Sequence, residues 1–202
     1  MASLSDGEIV ATRRIATMTF NYTAPHNGTP TPGANPDGYM LKPDEGSMTW
    51  FVGALLTFKA KAADTHGVLT FFQCDVPYGW QAPVHKHANE SELFYITEGE
   101  WEIFVNDTVH LVTPGCTVWI PQNTAHSIFV RSKRGRGYCV ITPAGFEKFF
   151  EDAGEPATAP SMPTHPTHMP SPEELLEVGK EMGWVLVDPS PRRLDDHDHH
   201  EH

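Results

Sequence analysis

The chain has 202 residues and a mass of 22.4 kDa, with 39% hydrophobic, 20% charged and 10% aromatic residues. This length fits one domain with extensions, and the composition excludes the fibrous and disordered classes. The formal net charge is −12, of which residues 151–202 carry −9, and no apolar run is long enough to cross a bilayer, so we expect neither a nucleic-acid nor a membrane partner.

Residues 1–60 are predicted to form an extension that precedes the main domain. Residues 21–38 are rich in proline and glycine, which predicts a surface loop or an arm over a neighbouring element. Residues 48–61, MTWFVGALLTFKAK, form an apolar run typical of a strand. An arm and a strand of this kind can pair with a second copy, and we therefore expect a homodimer.

Residues 61–150 are assigned to the main domain because short β-rich segments recur there between turn residues. Valine, isoleucine, threonine and aromatic residues dominate them, which predicts an antiparallel sandwich or small barrel. Asn106 and Asp107 are typical of a tight hairpin turn between two of these segments. The segments are VLTFFQCDV (68–76), SELFYIT (91–97), WEIFVN (101–106), TVHLV (108–112), TVWI (117–120), HSIFV (126–130) and GYCVIT (137–142).

A short amphipathic helix is predicted at residues 146–154, FEKFFEDAG, where Phe146, Phe149 and Phe150 share one face and a glycine ends the helix.

Residues 151–194 are predicted to hold a proline-rich segment and a second helix. Six prolines between residues 155 and 172 exclude regular structure there. Ser171, followed by a proline and two acids, predicts a helix start, and the helix is expected to pack back through Leu175, Leu176 and Val178. Residues 195–202, DDHDHHEH, are predicted to be a disordered acidic tail.

Three cysteines, Cys74, Cys116 and Cys139, are spread over the main domain without a close pair. An odd number without a close pair excludes a complete disulfide framework and a zinc ribbon. Each is expected to be a small buried side chain, and a cytoplasmic location is predicted because reducing compartments keep thiols unpaired. The N-terminus has no basic region followed by an apolar stretch, so no secretory signal is expected.

The stretch of residues 79–99, GWQAPVHKHANESELFYITEG, carries the side chains best suited to binding a metal. His85 and His87 are two residues apart, so on a strand both project to one face. Glu92 opens the next β-rich segment, and an antiparallel return brings its carboxylate opposite the two imidazoles. His126 begins another strand after a turn and can supply a fourth ligand.

Three imidazoles and one carboxylate favour a divalent transition ion over an ion that prefers thiolates. Ni, Co, Mn, Fe, Cu and Zn all bind nitrogen and oxygen donors of this type. Four protein ligands leave one or two positions open on a five- or six-coordinate ion. We therefore predict one divalent transition metal per subunit, and the residues leave its identity open.

This pattern resembles the first motif of the cupin family, G-x5-HxH-x4-E-x6-G, at every defined position. The second motif, G-x5-P-x-G-x2-H-x3-N, is matched in part and differs at Asn123 and Val130; asparagine tolerates the left-handed backbone better than most residues. The resemblance implies an all-β cupin fold, that is a double-stranded β-helix or jelly-roll barrel, with an N-terminal strand and loop extension and short C-terminal helices. The matching residues are Gly79, His85, His87, Glu92 and Gly99 in the first motif and Gly115, Pro121 and His126 in the second.

Within the cupins, the flanking segments resemble the bacterial single-cupin quercetin 2,3-dioxygenases (quercetinases). The similar segments are LTFFQCDVP, ELFYITEGEWEIFV, LVTPG and PAGFEKFFEDAGEPA. In those enzymes a divalent metal binds the 3-oxyanion of a flavonol, and dioxygen cleaves the heterocyclic ring with release of carbon monoxide. The resemblance therefore implies an oxidoreductase that uses O2 on a flavonol or a related hydroxylated aromatic or enolic compound. It assigns His85, His87, Glu92 and His126 as metal ligands and Glu92 as the catalytic base.

A flat aromatic substrate needs an apolar pocket beside the metal. Phe94 and Ile96 share the strand face of Glu92, and Ile128 shares that of His126. An apolar pocket is also expected to raise the pKa of the glutamate toward neutrality, where a carboxyl group can accept and return a proton. The pocket candidates are Phe72, Phe94, Ile96, Ile103, Trp119 and Ile128.

Two other functions stay open from the sequence. A cupin can use its metal as a Lewis acid without oxygen, as an isomerase, lyase or polyketide cyclase of secondary metabolism. A cupin can also bind a small molecule without converting it. Because all four ligand positions are retained here, metal binding is favoured over the last alternative.

Overall fold

The structure is a computed structural model that describes residues 38–164 and 167–194. All of the predicted loop 21–38 except its last residue, and the whole acidic tail 195–202, lie outside these residues. Twelve strands and three short helices are described, which confirms the all-β class. They are β1 (Ser47–Phe51), β2 (Ala54–Ala60), α1 (Ala62–Thr65), β3 (Thr70–Pro77), β4 (Gln81–His87), β5 (Ser91–Glu98), β6 (Trp101–Val105), β7 (Thr108–Val112), β8 (Thr117–Ile120), β9 (His126–Val130), β10 (Arg134–Thr142), α2 (Glu147–Ala153), β11 (Glu155–Pro156), α3 (Pro172–Lys180) and β12 (Trp184–Asp188).

The strands form two antiparallel sheets. The larger sheet has seven strands in the order β11-β1-β2-β3-β10-β5-β8, and the smaller has five in the order β12-β4-β9-β6-β7. Residues 48–61, predicted as one strand, instead form the hairpin of β1 and β2, which turns at Val52 and Gly53 with φ values of 50° and 77°. The N-terminal extension therefore contributes two strands to the same sheet as β3, while its separation from the main domain stays a prediction.

Two turns that the sequence analysis singled out have backbone in the left-handed conformation. Asn106 and Asp107 have φ values of 51° and 65° and join β6 to β7, the left-handed pair that a tight hairpin requires. Asn123 has a φ of 62° in the turn before β9. This confirms that asparagine supplies the left-handed conformation there.

The core lies between the facing surfaces of the two sheets. Its fully buried side chains include Ile96 of β5, Trp101 and Ile103 of β6, and Ile141 of β10. Each large apolar side chain taken out of water in this way contributes about 1.5–3 kcal/mol of transfer free energy. Cys74 and Cys139 are buried here as expected, whereas the expectation for Cys116 is wrong: it is exposed, in a turn where its N–H donates to Thr113 O at 3.0 Å.

The C-terminal part folds back onto the barrel. Helix α3 starts as predicted, because Ser171 Oγ accepts from the N–H of Glu174 and the Glu174 carboxylate accepts from the N–H of Ser171, a capping box. Leu175 and Val178 pack against the core, but Leu176 is 43% exposed, so its predicted packing role is wrong. None of the helices in the described ranges is long and apolar enough to cross a bilayer.

Asp75 of β3 is a buried carboxylate held by β10. It accepts hydrogen bonds from Arg134 at 2.7 Å, from Arg136 at 2.8 Å and from Gln73 at 2.7 Å. Burial alone would raise the pKa of Asp75, but these donors outweigh burial and hold the pKa below its ordinary value. The carboxylate therefore stabilises the pairing of β3 with β10.

Candidate metal centre

Three strands from both sheets bring the predicted ligands to one point. His85 and His87 lie on β4 and His126 on the neighbouring β9, where His126 is directly opposite His85 in the register. Glu92 lies on β5 of the larger sheet and faces them across the barrel interior. Each of the four side chains is at most 7% exposed, so the centre is screened from bulk water.

The distances are those of a compact ligand set. The possible ligand atoms of His85, His87 and His126 all lie within 4.8 Å of one another. Glu92 Oε2 lies 3.0 Å from His126 Nε2, and Glu92 Oε1 lies 3.8 Å from His87 Nε2. The structure thus brings together all four residues that the sequence singled out, while their role as ligands stays a prediction.

Backbone carbonyls fix the tautomers of two of the imidazoles. Nδ1 of His85 lies 2.8 Å from Pro83 O, and Nδ1 of His126 lies 2.9 Å from Thr124 O. Since a carbonyl only accepts, both Nδ1 atoms carry the proton and both Nε2 atoms keep a free lone pair. This second contact is the usual way in which proteins orient a histidine that binds a metal.

The contact between His126 Nε2 and Glu92 can be bridged either by a second imidazole proton or by a metal ion. With its proton on Nδ1, His126 Nε2 is an acceptor, yet it lies 3.0 Å from a carboxylate oxygen and is buried without a hydrogen-bond partner. Two acceptors at this distance repel each other unless a proton or a metal ion lies between them. The residues present therefore fit a metal ion of the nitrogen and oxygen type.

The ionisation of the four groups in the absence of a metal follows from burial and from their mutual charges. Burial, and then the charges of His126 and His87, hold the pKa of His85 well below its usual range. Burial alone would raise the pKa of Glu92, but the charge of His87 and the contact with His126 lower it to about 2. The expected rise of this pKa toward neutrality does not occur, because three imidazoles surround the carboxylate. The same contact with Glu92 raises the pKa of His126 against the effect of its burial.

A second buried carboxylate lies next to this centre. Glu90, in the turn between β4 and β5, is nearly as buried as the ligands, and its Oε2 lies 3.8 Å from His87 Nδ1. Burial and the charge of Glu92 raise the pKa of Glu90 to about 7. The sequence analysis missed this residue, although the run HANESE places it within the loop that connects the ligand strands.

An apolar cavity of about 160 Å³ lies beside the centre, and His85 and Glu92 face it. Nearly half of the residues that line it are phenylalanine or tryptophan. Phe146 lies against the His87 ring at 4.3 Å between centroids, and Trp184 lies 5.5 Å from the His85 ring. The cavity thus places a dry, aromatic surface next to the candidate metal position.

Three of the six predicted pocket residues line this cavity, namely Phe72, Phe94 and Ile128. The structure places the other three elsewhere. Ile96 and Ile103 are fully buried in the core away from the cavity wall. Trp119 is 53% exposed, because its neighbour Ile120 takes the inward position on β8 opposite Glu92.

Two cavity residues come from segments that the sequence analysis did not connect with the site. Phe146 was assigned to a helix face without a partner, and Trp184 was not assigned to a strand. The signal for β12 was present in the run WVLVD, which follows a glycine with a φ of 74° at position 183.

Part of the chain that contains these residues is similar to a known protein family. Residues 72–145 match the cupin domain family. The chain contains a cupin domain. The matched residues include His85, His87, Glu92 and His126, and the two-sheet barrel described above is the predicted cupin fold.

The cupin resembles the quercetin 2,3-dioxygenase of Bacillus subtilis (strain 168), with 28% identity over 134 residues. The aligned part is 65% of this chain and 40% of that enzyme, so the chain spans well under half of the length of that relative.

Solved cupin structures are similar over about half of the chain. KdgF from Halomonas sp. covers 55% of this chain and 98% of its own, with 14% identity and a TM-score of 0.48. An RmlC-like cupin from Shewanella frigidimarina NCIMB 400 covers 55% of this chain and 95% of its own, with 18% identity and a TM-score of 0.48. Pac13, a nucleoside dehydratase, covers 55% of this chain and 86% of its own, with 17% identity and a TM-score of 0.44. These likenesses say nothing of the reaction.

Proposed function

We propose that this cupin is a metal-dependent dioxygenase that cleaves a flavonol or a related hydroxylated aromatic or enolic compound with O2. The observation that carries the proposal is the buried cluster of three imidazoles, with Glu92 Oε2 3.0 Å from His126 Nε2, at the wall of an aromatic cavity. The resemblance to a quercetin 2,3-dioxygenase supports the choice of reaction.

His85, His87, Glu92 and His126 would hold the metal. When bound, the metal would make an enol or phenol hydroxyl more acidic by stabilising its oxyanion. Glu92 is ionised at neutral pH, because its pKa is lowered to about 2, and it is therefore ready to accept the hydroxyl proton.

The cavity wall would select and orient a flat ring. Phe72, Phe94 and Ile128 present apolar surface from both sheets, and Phe146 and Trp184 add aromatic faces beside the imidazoles. These side chains exclude water from the substrate, which strengthens the interaction between its oxyanion and the surrounding charges.

The cavity volume favours the smaller members of this substrate class. A closed cavity of about 150 Å³ is large enough for benzene, whereas pockets for drug-sized ligands measure about 300–1,000 Å³. The cavity here has about 160 Å³, and Pro170 and Leu175 of the C-terminal segment form part of its wall. A single hydroxylated ring therefore fits the cavity as it stands, and a three-ring flavonol requires this wall to move outward.

The test is turnover by the full chain, loaded in turn with Fe, Mn, Co, Ni, Cu and Zn and incubated with quercetin and with single-ring catechols and enols. Loss of substrate absorbance and release of carbon monoxide are followed with and without oxygen. Glu92→Gln and His126→Ala serve as matched variants, and both are expected to abolish turnover. No oxygen-dependent turnover with any metal would overturn the proposal.

The same assay distinguishes the alternatives. Conversion that persists with Zn and without oxygen identifies a non-oxidative isomerase, lyase or cyclase. Binding of a ring compound without conversion, unchanged in Glu92→Gln, identifies a non-catalytic binding protein.

The homodimer and the cytoplasmic location also remain proposals. Strand β2 has partners on both edges, and β1 is covered on its outer side by the two-residue β11, so a second copy would have to pair with the rest of β1. Light scattering at micromolar concentration tests the dimer, and cell fractionation tests the location.

A further inference from the structure

Two buried polar atoms face each other beside the metal centre without a hydrogen-bond partner among the described residues. They are His87 Nδ1 and Glu90 Oε2, which lie 3.8 Å apart. The two side chains are 3% and 8% exposed, so water does not satisfy either atom. A buried donor and a buried acceptor left apart in this way are each destabilising, and a contact between them would remove both penalties.

His87 differs from the other two imidazoles because, within the described part of the chain, its Nδ1 atom has no backbone carbonyl as a hydrogen-bond partner. His85 and His126 each place Nδ1 within 2.9 Å of a carbonyl two residues earlier in the chain. Across the described ranges, Nδ1 of His87 has no such carbonyl. The Glu90 carboxylate lies 3.8 Å from His87 Nδ1. It is the acceptor that could bind this nitrogen, as the two carbonyls bind Nδ1 of His85 and His126.

The turn that carries Glu90 is held on both sides. The N–H of Asn123 donates to His87 O at 2.8 Å, and the N–H of Ala88 donates to Gly183 O at 2.9 Å. The side chain of Asn89 donates to Met182 O at 3.1 Å, and the Gln122 amide donates to Ala88 O. These contacts tie the three residues before Glu90 to two different segments of the chain, without any metal ion.

We propose that Glu90 is a positioning residue of the metal centre: its carboxylate accepts the Nδ1 proton of His87 and so turns Nε2 toward the ion. A rotation of the ring that draws Nε2 to the metal closes the present gap to a charge-assisted hydrogen bond of about 2.7–2.9 Å. Such an outer carboxylate orients the ring, fixes its tautomer and raises its basicity. The inference rests on the proposed metal site but not on the proposed reaction.

The test measures Co(II) affinity of the full chain by competition with a chelator, without any substrate. Binding by the histidine-rich tail is taken from a His85→Ala/His126→Ala variant and subtracted. Glu90→Leu keeps the volume but removes the acceptor, and we expect a 10–100-fold loss of affinity. Glu90→Gln keeps an acceptor oxygen without the charge, and we expect a smaller loss, which serves as the partial rescue.

A second readout separates orientation from folding. In Zn-loaded protein with ¹⁵N-labelled histidine, three protected Nδ1–H signals are expected from the three site imidazoles. Glu90→Leu should lose the protection of one of them while the thermal midpoint of the metal-free protein is not lowered. If Glu90→Leu fails to fold, the affinity and the protected signal of Glu90→Gln decide.

Two outcomes would overturn the inference, and they differ. If the wild-type chain binds Co(II) above the tail background and the Glu90 variants bind it equally well, only the role of Glu90 is wrong. If the wild-type chain binds no Co(II) above that background, the metal site itself and the proposed function fall with it.

Discussion

Gly179 marks the point where helix α3 meets Trp184, the residue that packs over the His85 ring. A methyl group at position 179 would lie 2.9 Å from Trp184 Cβ and 3.0 Å from Cε3. Neither atom is the far end of a flexible side chain. Gly179→Ala therefore forces α3 and β12 apart and displaces the indole from the cavity wall.

The magnitude follows from two opposing effects. Alanine in place of glycine inside a helix gains about 1 kcal/mol of intrinsic propensity. Inserting a methyl group into packed surroundings costs about 1–3 kcal/mol. We expect a net loss of about 1 kcal/mol, which lowers the thermal midpoint by about 2–4 °C for a chain of this size.

Urea unfolding followed by tryptophan fluorescence measures the change, and the same helix supplies its control. Glu177 is exposed in α3, so the difference between Glu177→Ala and Glu177→Gly gives the propensity gain alone, about 1 kcal/mol. Subtracting that gain from the Gly179→Ala result isolates the cost of the overlap. If Gly179→Ala stabilises the protein by the full propensity gain, α3 does not pack on Trp184 and the described cavity wall is wrong.

Three further predictions concern the rest of the barrel. Asp75→Asn should cost about 1–3 kcal/mol of unfolding free energy at neutral pH. Because the folded pKa of Asp75 is depressed, that cost should be complete above about pH 5, begin to shrink near the ordinary aspartate pKa of about 3.9, and disappear only as the pH falls through the lower folded pKa, as denaturation of both proteins over this range will show. Asp107→Gly should stabilise the protein by roughly 0.5 kcal/mol, since Asp107 has a φ of 65° in the hairpin, and a loss in the same urea assay would contradict this. A thiol reagent should label Cys116 at once, whereas Cys74 and Cys139 are buried and should react only after unfolding; three fast thiols in the folded protein would refute the burial.

Much of the candidate metal centre could be predicted, because side chains along a strand point alternately to its two faces. The two-residue spacing of His85 and His87 and the return at Glu92 place three side chains on facing surfaces whatever the rest of the barrel does. Parity along a strand was inferred correctly for Ile96, which does point inward. Its position along the barrel axis could not be inferred from the sequence. That position decides whether an inward side chain lines the cavity or contacts only other core residues.

Contacts between distant segments were the part that sequence reasoning could not supply. Trp184 reaches the centre only because β12 pairs with β4, almost a hundred residues earlier. Strand β4 itself carries a single β-branched residue, Val84, together with a proline, so its sequence QAPVHKH gives a weak strand signal. The tautomers and the buried position of Glu90 depend on ångström-scale contacts that no spacing rule encodes.

The placement of β12 beside β4 has a practical consequence for anyone who works with fragments of this protein. A fragment that stops at residue 145, where the family match ends, would leave the backbone amides and carbonyls of His85 and His87 along an unprotected sheet border. Open borders of this kind recruit strands from other molecules. Self-association of such a fragment would then occlude the very histidines whose chemistry it was made to study.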